Sequence, residues 1–578
     1  MKFLLNYLKE YKKESILAPV FKMMEAIFEL LVPLVMASII DVGIANRDVS
    51  YVIRMSLVLV LLAVVGLAFA ITAQYFAAKA AIFSASKMRE DLFYHIMDMS
   101  AESHSSQGSS ALITRITSDI NQLQNGINMF LRLFLRSPFI VFGAMIMAWT
   151  IRAKAAIIFA IIILCLSLVV YGIMKSTLPI FATVQKKLEK VFLSVGENLE
   201  GARVIRAFGN QEEQLQDFRE KTGSLYADQI HAGKISALLN PVTYVLVNLG
   251  IVLLLWVGAD WVGAGILAKG EVVALVNYMS QILVELIKLA NLIVILMRCV
   301  PSVGRVAEVM DMQADQRRVA QKDTTEEKEI ALKFEDVTFC YPGSSEPSLA
   351  NISFEAKEHE RIGIIGGTGS GKSTVLQLMI HAYDATSGRV TLFGEDVASY
   401  TDEELEKKIG MVFQKAVLFT GTIRENIIFG RDGITEKDVE DALQWAQAKD
   451  VVQAKEKGLD EEVLQGARNF SGGQRQRLTI ARALAGKPDL ILLDDASSAL
   501  DASTDARLRK DLAELPWKPT VVIVSQRASS VMDADRILVL DNGECVGWGT
   551  HRELLQSNEV YREIYHSQFP EEDGEQNE

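Results

Sequence analysis

Nine consecutive residues, Gly366, Gly367, Thr368, Gly369, Ser370, Gly371, Lys372, Ser373 and Thr374, spell GGTGSGKST and match G-x-x-x-x-G-K-[ST]. Glycines let successive backbone N–H groups close around a phosphate, the lysine supplies charge to the outer phosphates, and the serine hydroxyl can ligate Mg2+. The stretch follows the strand-like RIGII and precedes the helix-like VLQLMIHAY, so the positive end of a helix would point at the anion. A chance match in a Gly-rich loop is the alternative; these flanks make ATP the expected ligand. A second apolar run, LILL, ends in Asp494 and reads as a buried parallel strand that delivers a carboxylate close to the Mg2+. Between the two, Ser471, Gly472, Gly473 and Gln474 open a helix within NFSGGQRQRLTIARAL, which exposes a second set of N–H groups. One nucleotide cannot be cradled by two helix N-termini from one face, so this second turn is expected to serve another subunit.

These groups need a scaffold, and composition divides it in two. Of 578 residues, 50% are hydrophobic and 23% charged, with a mean hydropathy of +0.20, too apolar for a wholly soluble chain and too charged for a wholly membrane one. Long apolar runs dominate up to about residue 300, and short strand-like and helix-like patterns follow from about 331. The expected organisation is a transmembrane domain at 1–309, a polar linker at 310–330, an α/β domain at 331–568 and an acidic tail at 569–578. A net charge of -13 argues against a nucleic-acid partner held through phosphates. Cys165, Cys299, Cys340 and Cys545 show neither ligand nor redox spacing and read as free thiols.

Crossing a hydrocarbon core of about 30 Å takes roughly 20 apolar helical residues. Three uncharged stretches at 55–78, 155–174 and 235–259 meet that length, and three less pure ones lie at 16–40, about 130–150 and 272–297. Lys2, Lys9, Lys12 and Lys13 precede the first span, and the segments at 79–136 and 175–234 carry many Lys and Arg, which sets those parts inside. Six spans then return the C-terminal domain to the cytoplasm. The first span lacks a small-residue cleavage site and does not read as a signal peptide. Both long inner segments keep a helical pattern well beyond membrane depth, which suggests helices able to carry motion to a distant domain.

Ionisable residues within spans cost about 2.5 to 3.5 kcal/mol each on insertion scales. Glu25 and Glu29 share a helix face, with Lys22 one turn before, and Asn277, Gln281, Glu285 and Lys288 fall along one stripe. One reading is a polar cavity wall for an amphipathic, cationic solute. The other is that Lys22 and Lys288 neutralise the glutamates in structural pairs.

The chain resembles the ATP-binding cassette (ABC) superfamily, specifically an exporter-type half-transporter, over nearly its whole length. The resemblance rests on GGTGSGKST, VFQKAVLFTGTIRENI, FSGGQRQR, LILLDD, SALD and IVSQR in fixed order. It implies a membrane all-α six-helix domain followed by a cytoplasmic α/β P-loop nucleotide-binding domain, in a cell membrane of the bacterial inner or plasma type. It also implies that Tyr341 stacks on adenine, that Gln414 senses Mg2+ alongside Ser373 and Asp494, and that Asp501 communicates across a dimer. Two composite ATP sites would each face a phosphate loop with the partner's SGGQ turn. Docking elements to the ATPase domains are expected within 104–121 and 207–218.

Two positions depart from the family pattern. Hydrolysing members usually carry Glu after the Walker B aspartate and His in the switch loop, where this chain has Asp495 and Gln526. Asp withdraws the carboxylate by about one methylene, roughly 1.5 Å, when a 1 Å misplacement can cost about 100-fold in rate. Gln can hydrogen-bond a phosphate but brings no positive charge to developing anionic oxygen, and no histidine lies between His381 and His551. Both changes spare binding and harm chemistry, while the signature is intact apart from Phe470 in place of the commoner Leu. The expectation is an ATPase-coupled exporter of hydrophobic or amphipathic small molecules, of the multidrug type, working as an unequal heterodimer. This chain would hold the degenerate site, and a second half-transporter would bring the Glu and the His. The rival expectations are a slow homodimeric exporter and an ATP-regulated, non-pumping membrane subunit.

Overall fold

The computed structural model describes residues 2–312 and 329–569, so the expected linker and tail fall largely outside the described residues. Two compact units emerge: one spans Met1–Met97 and Gln107–Met312, the other Asp98–Ser106 together with the described residues from 329 on. The first unit as described ends at Met312, within the linker expected at 310–330. The first expected docking stretch, 104–121, begins inside the short segment that belongs with the second unit, and the remainder belongs to the first.

The first unit is all helical. Its elements are Lys2–Glu10 (α1), Lys12–Ser38 (α2), Val49–Met97 (α3), Ala101–Gln107 (α4, mostly of the second unit), Ser109–Thr114 (α5) and Ile120–Leu133 (α6). There follow Arg136–Ile151 (α7), Ala153–Glu200 (α8), Ala202–Ala207 (α9), Gln211–Ala237 (α10), Leu239–Gly263 (α11) and Lys269–Met310 (α12). Among the described residues, five helical segments are long and apolar enough to cross a membrane. The sixth expected span lies within α12, a 42-residue helix packed against α2, α6, α7, α8 and α11. At 49 and 48 residues, α3 and α8 run about 70 Å each, more than twice the hydrocarbon thickness.

Two of the apolar segments are interrupted in their hydrogen bonding, at Phe134 and Leu135 ahead of α7 and at Leu238 ahead of α11, while the backbone there stays in the right-handed helical region and Ser109–Ile151 and Gln211–Gly263 each run on as one long segment. In each case a proline, Pro138 or Pro241, stands third in the new helix, within the first turn, where its missing N–H costs nothing. The core between the helices is built from residues such as Ile140, Phe159, Leu166, Leu254 and Met279. Tyr278 is fully buried among them and donates its hydroxyl to the Leu30 carbonyl at 2.6 Å.

Among the described residues the second unit contains twelve strands: Ile330–Phe339 (β1), Leu349–Lys357 (β2), Arg361–Gly366 (β3), Ser387–Leu392 (β4), Glu395–Asp396 (β5), Ile409–Val412 (β6), Gly421–Thr422 (β7), Glu462–Val463 (β8), Leu490–Asp494 (β9), Thr520–Val524 (β10), Arg536–Asp541 (β11) and Glu544–Gly549 (β12). The central sheet has the order β12-β11-β3-β10-β9-β6, parallel throughout except for the antiparallel edge strand β12. All five residues of β9 are buried, as expected for an apolar run inside a parallel sheet covered on both faces. An antiparallel sheet, β2-β1-β4-β5, adds a second layer. Because Val524 pairs with both Asp494 and Ile364, the carboxyl ends of β3, β9 and β10 lie side by side. That edge is where open α/β sheets bind their ligands.

Candidate functional site

The phosphate loop leaves β3 at Gly366 and enters the helix Lys372–Met379. Two glycines are fixed by geometry: a Cβ on Gly366 would lie 2.1 Å from the Leu540 carbonyl oxygen, and Gly371, at φ 94°, would meet Leu349 Cδ2 at 2.6 Å. Neither position tolerates a side chain. The Lys372 ammonium folds back over the loop, donating to the carbonyls of Gly366 at 3.0 Å and Gly367 at 2.5 Å, with Ser370 Oγ at 3.4 Å. Burial pulls its pKa down, against the opposing charges of Asp495 and Asp494.

Ser373 Oγ donates to Asp494 Oδ1 at 3.0 Å, which brings together two candidate Mg2+ ligands that are 121 residues apart in sequence. Burial pushes the Asp494 carboxyl up, and the Ser373 hydrogen bond holds it back. Asp495 sits in the left-handed region at φ 45°, and its amide donates to the Val524 carbonyl at 2.9 Å. Burial raises its pKa too, while the Arg527 charge and hydrogen bonds from Gln414 and Ser498 work against the shift.

A cavity of about 360 Å³ gathers these groups. Thr368, Gly369, Gly371, Lys372, Ser373 and Thr374 form its floor. Tyr341, Gln414, Asp495 and Gln526 line its walls, so the sequence-expected residues converge. The Tyr341 hydroxyl lies 3.2 Å from Thr374 Oγ1, and its ring meets Phe339 and Tyr383 edge-on. Ser348, Val524 and Ser525 complete the lining and went unnoticed in the sequence, since nothing about an isolated serine or valine marks a wall. An electropositive loop, the Asp495 carboxylate and an aromatic ring around one space, with Asp494 outside the lining but hydrogen-bonded to Ser373, can hold a nucleotide triphosphate and a divalent cation.

Two expected elements lie elsewhere. Ser471 caps the helix Gly472–Ala485 in a reciprocal box with Gln474 and, like Gly472, Gly473 and Gln474, is no part of that cavity lining. Phe470 is buried in the core, with the Lys455 ammonium 4.5 Å above its ring, so the departure from Leu is absorbed by packing. Asp501 caps the helix Ala502–Ala513, accepting from Ser503 Oγ at 2.6 Å and Thr504 N at 2.9 Å; these bonds hold its carboxyl well below the usual range.

The intramembrane carboxylates form a network around a residue the sequence reading passed over. Arg136, 6% exposed, donates to Glu285 Oε1 at 2.7 Å and to Glu29 Oε2 at 2.6 Å. Ser137 Oγ donates to Glu285 Oε2 at 2.8 Å, Lys288 pairs with Glu285 at 2.8 Å, and Lys22 pairs with Glu25 at 2.5 Å. Gln281 Nε2 reaches the Glu29 carbonyl at 3.5 Å, while Asn277 stays half-buried about two turns before Glu285. Lys22, Arg136 and Lys288 match Glu25, Glu29 and Glu285 charge for charge, which favours structural pairing over an open anionic wall.

Comparisons with known proteins agree with this geometry. Residues 15–286 match the model of the ABC transporter transmembrane region, and residues 349–498 that of the ABC transporter family. The chain is 34% identical over 571 residues, 99% of both chains, to the "Uncharacterized ABC transporter ATP-binding protein YfiB" of Bacillus subtilis. It is 30% identical to an "ATP-dependent lipid A-core flippase" of Photobacterium profundum, over 83% of this chain and 82% of that one. A solved structure of a bacterial Atm1-family ABC exporter with ATP bound superimposes at a TM-score of 0.81 with 21% identity, covering 98% of this chain and 99% of that chain. The chain belongs to the ABC transporter family and is an ATP-driven, multi-pass membrane exporter with a cytoplasmic ATP-binding domain.

Proposed function

We propose that this exporter moves hydrophobic or amphipathic small molecules, of the multidrug type, as one half of a heterodimer in which it supplies the weaker ATP site. ABC exporters work as dimers. The observation that carries the reading is that Asp495 and Gln526 face the same cavity as Lys372. The position next to Asp494 offers a short carboxylate, tied sideways to Gln414 and Ser498, and the switch position offers a neutral amide. Lys372 exchanges its loop carbonyls for the outer phosphates, and Tyr341 offers its ring to the adenine.

Mg2+ would be held by Ser373 and Asp494, with Gln414 alongside, and would neutralise charge on the phosphates. The donors fit: they are hard oxygens, and among the described residues no group of three His, Cys, Asp or Glu makes a cage of its own. Mg2+ usually binds through one or two protein oxygens plus substrate phosphates. The signature turn Ser471, Gly472, Gly473 and Gln474 completes the partner's better-equipped site, with Asp501 beside that interface. Amphipathic cargo suits the neutralised membrane network, from which Glu29 and Lys288 are 39% and 40% exposed at their side chains; the named activity of the flippase relative is of the same amphipathic kind.

The test is ATPase activity of the full-length chain purified alone in lipid. Turnover is expected to be slow and to rise about tenfold or more in the Asp495→Glu, Gln526→His double variant. Brisk turnover by the unaltered chain would remove the heterodimer from the reading.

A further inference from the structure

The switch loop is held from outside the nucleotide cavity by a side chain that no sequence motif marks. The C-terminal helix Glu559–Gln568 is anchored by Tyr561, fully buried and hydrogen-bonded to His551 Nδ1 at 2.7 Å. Ile564 and Tyr565 pack on the cluster that contains Ala528 and Val531. At the end of this helix Gln568 Nε2 donates to the Gln526 carbonyl at 2.8 Å, and its Oε1 accepts from the Ala528 amide, also at 2.8 Å. One side-chain amide thus spans both backbone groups that flank Arg527, 40 and 42 residues away in sequence.

The rest of the loop is tied by other groups. Ser525 N donates to Ile364 O at 3.1 Å, Arg527 N to Ser525 Oγ at 3.0 Å, and Arg509 Nη1 to Ser529 O at 2.6 Å. Those bonds fix the ends of the turn and the Arg527 amide, and Gln568 ties down the Gln526 carbonyl and the Ala528 amide on either side of it. A side chain in the cavity is aimed by its backbone, and a paired donor and acceptor on one planar amide fixes both position and tilt. We propose that Gln568 is a positioning residue that sets the switch side chain, Gln526, against the outer phosphate of the bound nucleotide. The proposal rests on the reading of Gln526 as a phosphate-facing group and is independent of whether the partner is a second copy or a different chain.

If so, loss of the clamp weakens recognition of the outer phosphate and leaves the rest of the nucleotide unaffected. The experiment measures dissociation constants for ADP and a non-hydrolysable ATP analogue, with Mg2+, on the full-length protein in lipid nanodiscs. Gln526→Ala is expected to cut the preference for the triphosphate about fivefold, and Gln568→Met, similar in length but without the amide, nearly as much, with ADP affinity within about twofold of the parent. The double variant is expected to be no worse than Gln526→Ala, since both act through one contact. Gln568→Glu, which keeps an acceptor for the Ala528 amide and loses the donor, falls between the parent and Gln568→Met.

An equal loss of ATP-analogue and ADP affinity in Gln568→Met, an unchanged preference, or additive losses in the double variant would overturn the clamp while Gln526→Ala still registers. A silent Gln526→Ala would overturn the reading of Gln526 itself, and the clamp with it.

Discussion

Buried charge is handled in opposite ways in the two units. In the membrane unit Arg136 is matched by Glu285 and Glu29, with further pairs on either side, and each of the six charges in this cluster has a partner of opposite sign within 2.5 to 2.8 Å. In the nucleotide cavity Lys372 rests on backbone carbonyls, and Asp494 and Asp495 sit side by side with carboxyls that burial pushes up. A charge that has already found its counter-ion holds structure together. One parked on dipoles beside groups that resist ionising is poised for a ligand that brings its own charge. The first arrangement is complete as it stands, and the second leaves room for the charge that ATP brings.

The contrast breaks most visibly if Arg136 proves dispensable. Arg136→Met leaves buried Glu285 with Lys288 as its one remaining counter-ion and takes the cation from Glu29, and is expected to cost about 3 kcal/mol, the low end for a broken buried pair, read from denaturant unfolding of the full-length protein in lipid. Adding Glu285→Leu should restore most of that loss, because a pair replaced by apolar groups is far cheaper than a pair broken. An unchanged midpoint in the single variant would mean that the network does not hold the helices together.

A smaller effect sharpens the other side. Lys372→Ala is expected to weaken nucleotide binding by about 100-fold, through loss of charge-assisted contacts, with little change in the melting temperature of the nucleotide-free protein. A parallel fall in both would put Lys372 in the same class as Arg136.

The mildest test is pH. Carboxyls held above their usual range take up protons earlier on acidification, so Mg2+-dependent ATP affinity should begin to fall at a pH above that of an ordinary aspartate, by less than about tenfold per unit for each proton taken up. The sign reverses for the nucleotide-free fold: groups raised by burial are a burden while ionised, and their contribution to stability improves as pH drops through the folded pKa. Asp494→Asn should remove its share of both trends in titrations of binding and of melting temperature.

How much of this was legible depended on distance along the chain. The phosphate loop and the strand ending in Asp494 were readable because each is a contiguous string whose chemistry is local, and the pairs Lys22 with Glu25 and Glu285 with Lys288 follow from helical spacing. Arg136 stayed hidden as a counter-ion because it stands where the inner segment 79–136 overlaps the apolar stretch at about 130–150, with no acidic residue at helical spacing to pair it, whereas as the first residue of α7 it reaches Glu29 on α2 and Glu285 on α12. The polar stripe of α12 was visible, but one of the two cations that pair with Glu285 lies 149 residues away. Gln568 carried no signal at all: its partners are backbone groups, which every residue has.

The electroneutrality of the Arg136 network has a consequence for energetics across the bilayer. A transmembrane voltage does work only on net displaced charge, about 2.3 kcal/mol per elementary charge per 100 mV. Three cations and three anions that travel together therefore feel almost no electrical force, and any rearrangement of α2, α7 and α12 that keeps the cluster intact should proceed at the same rate in an energised cell as in a de-energised vesicle.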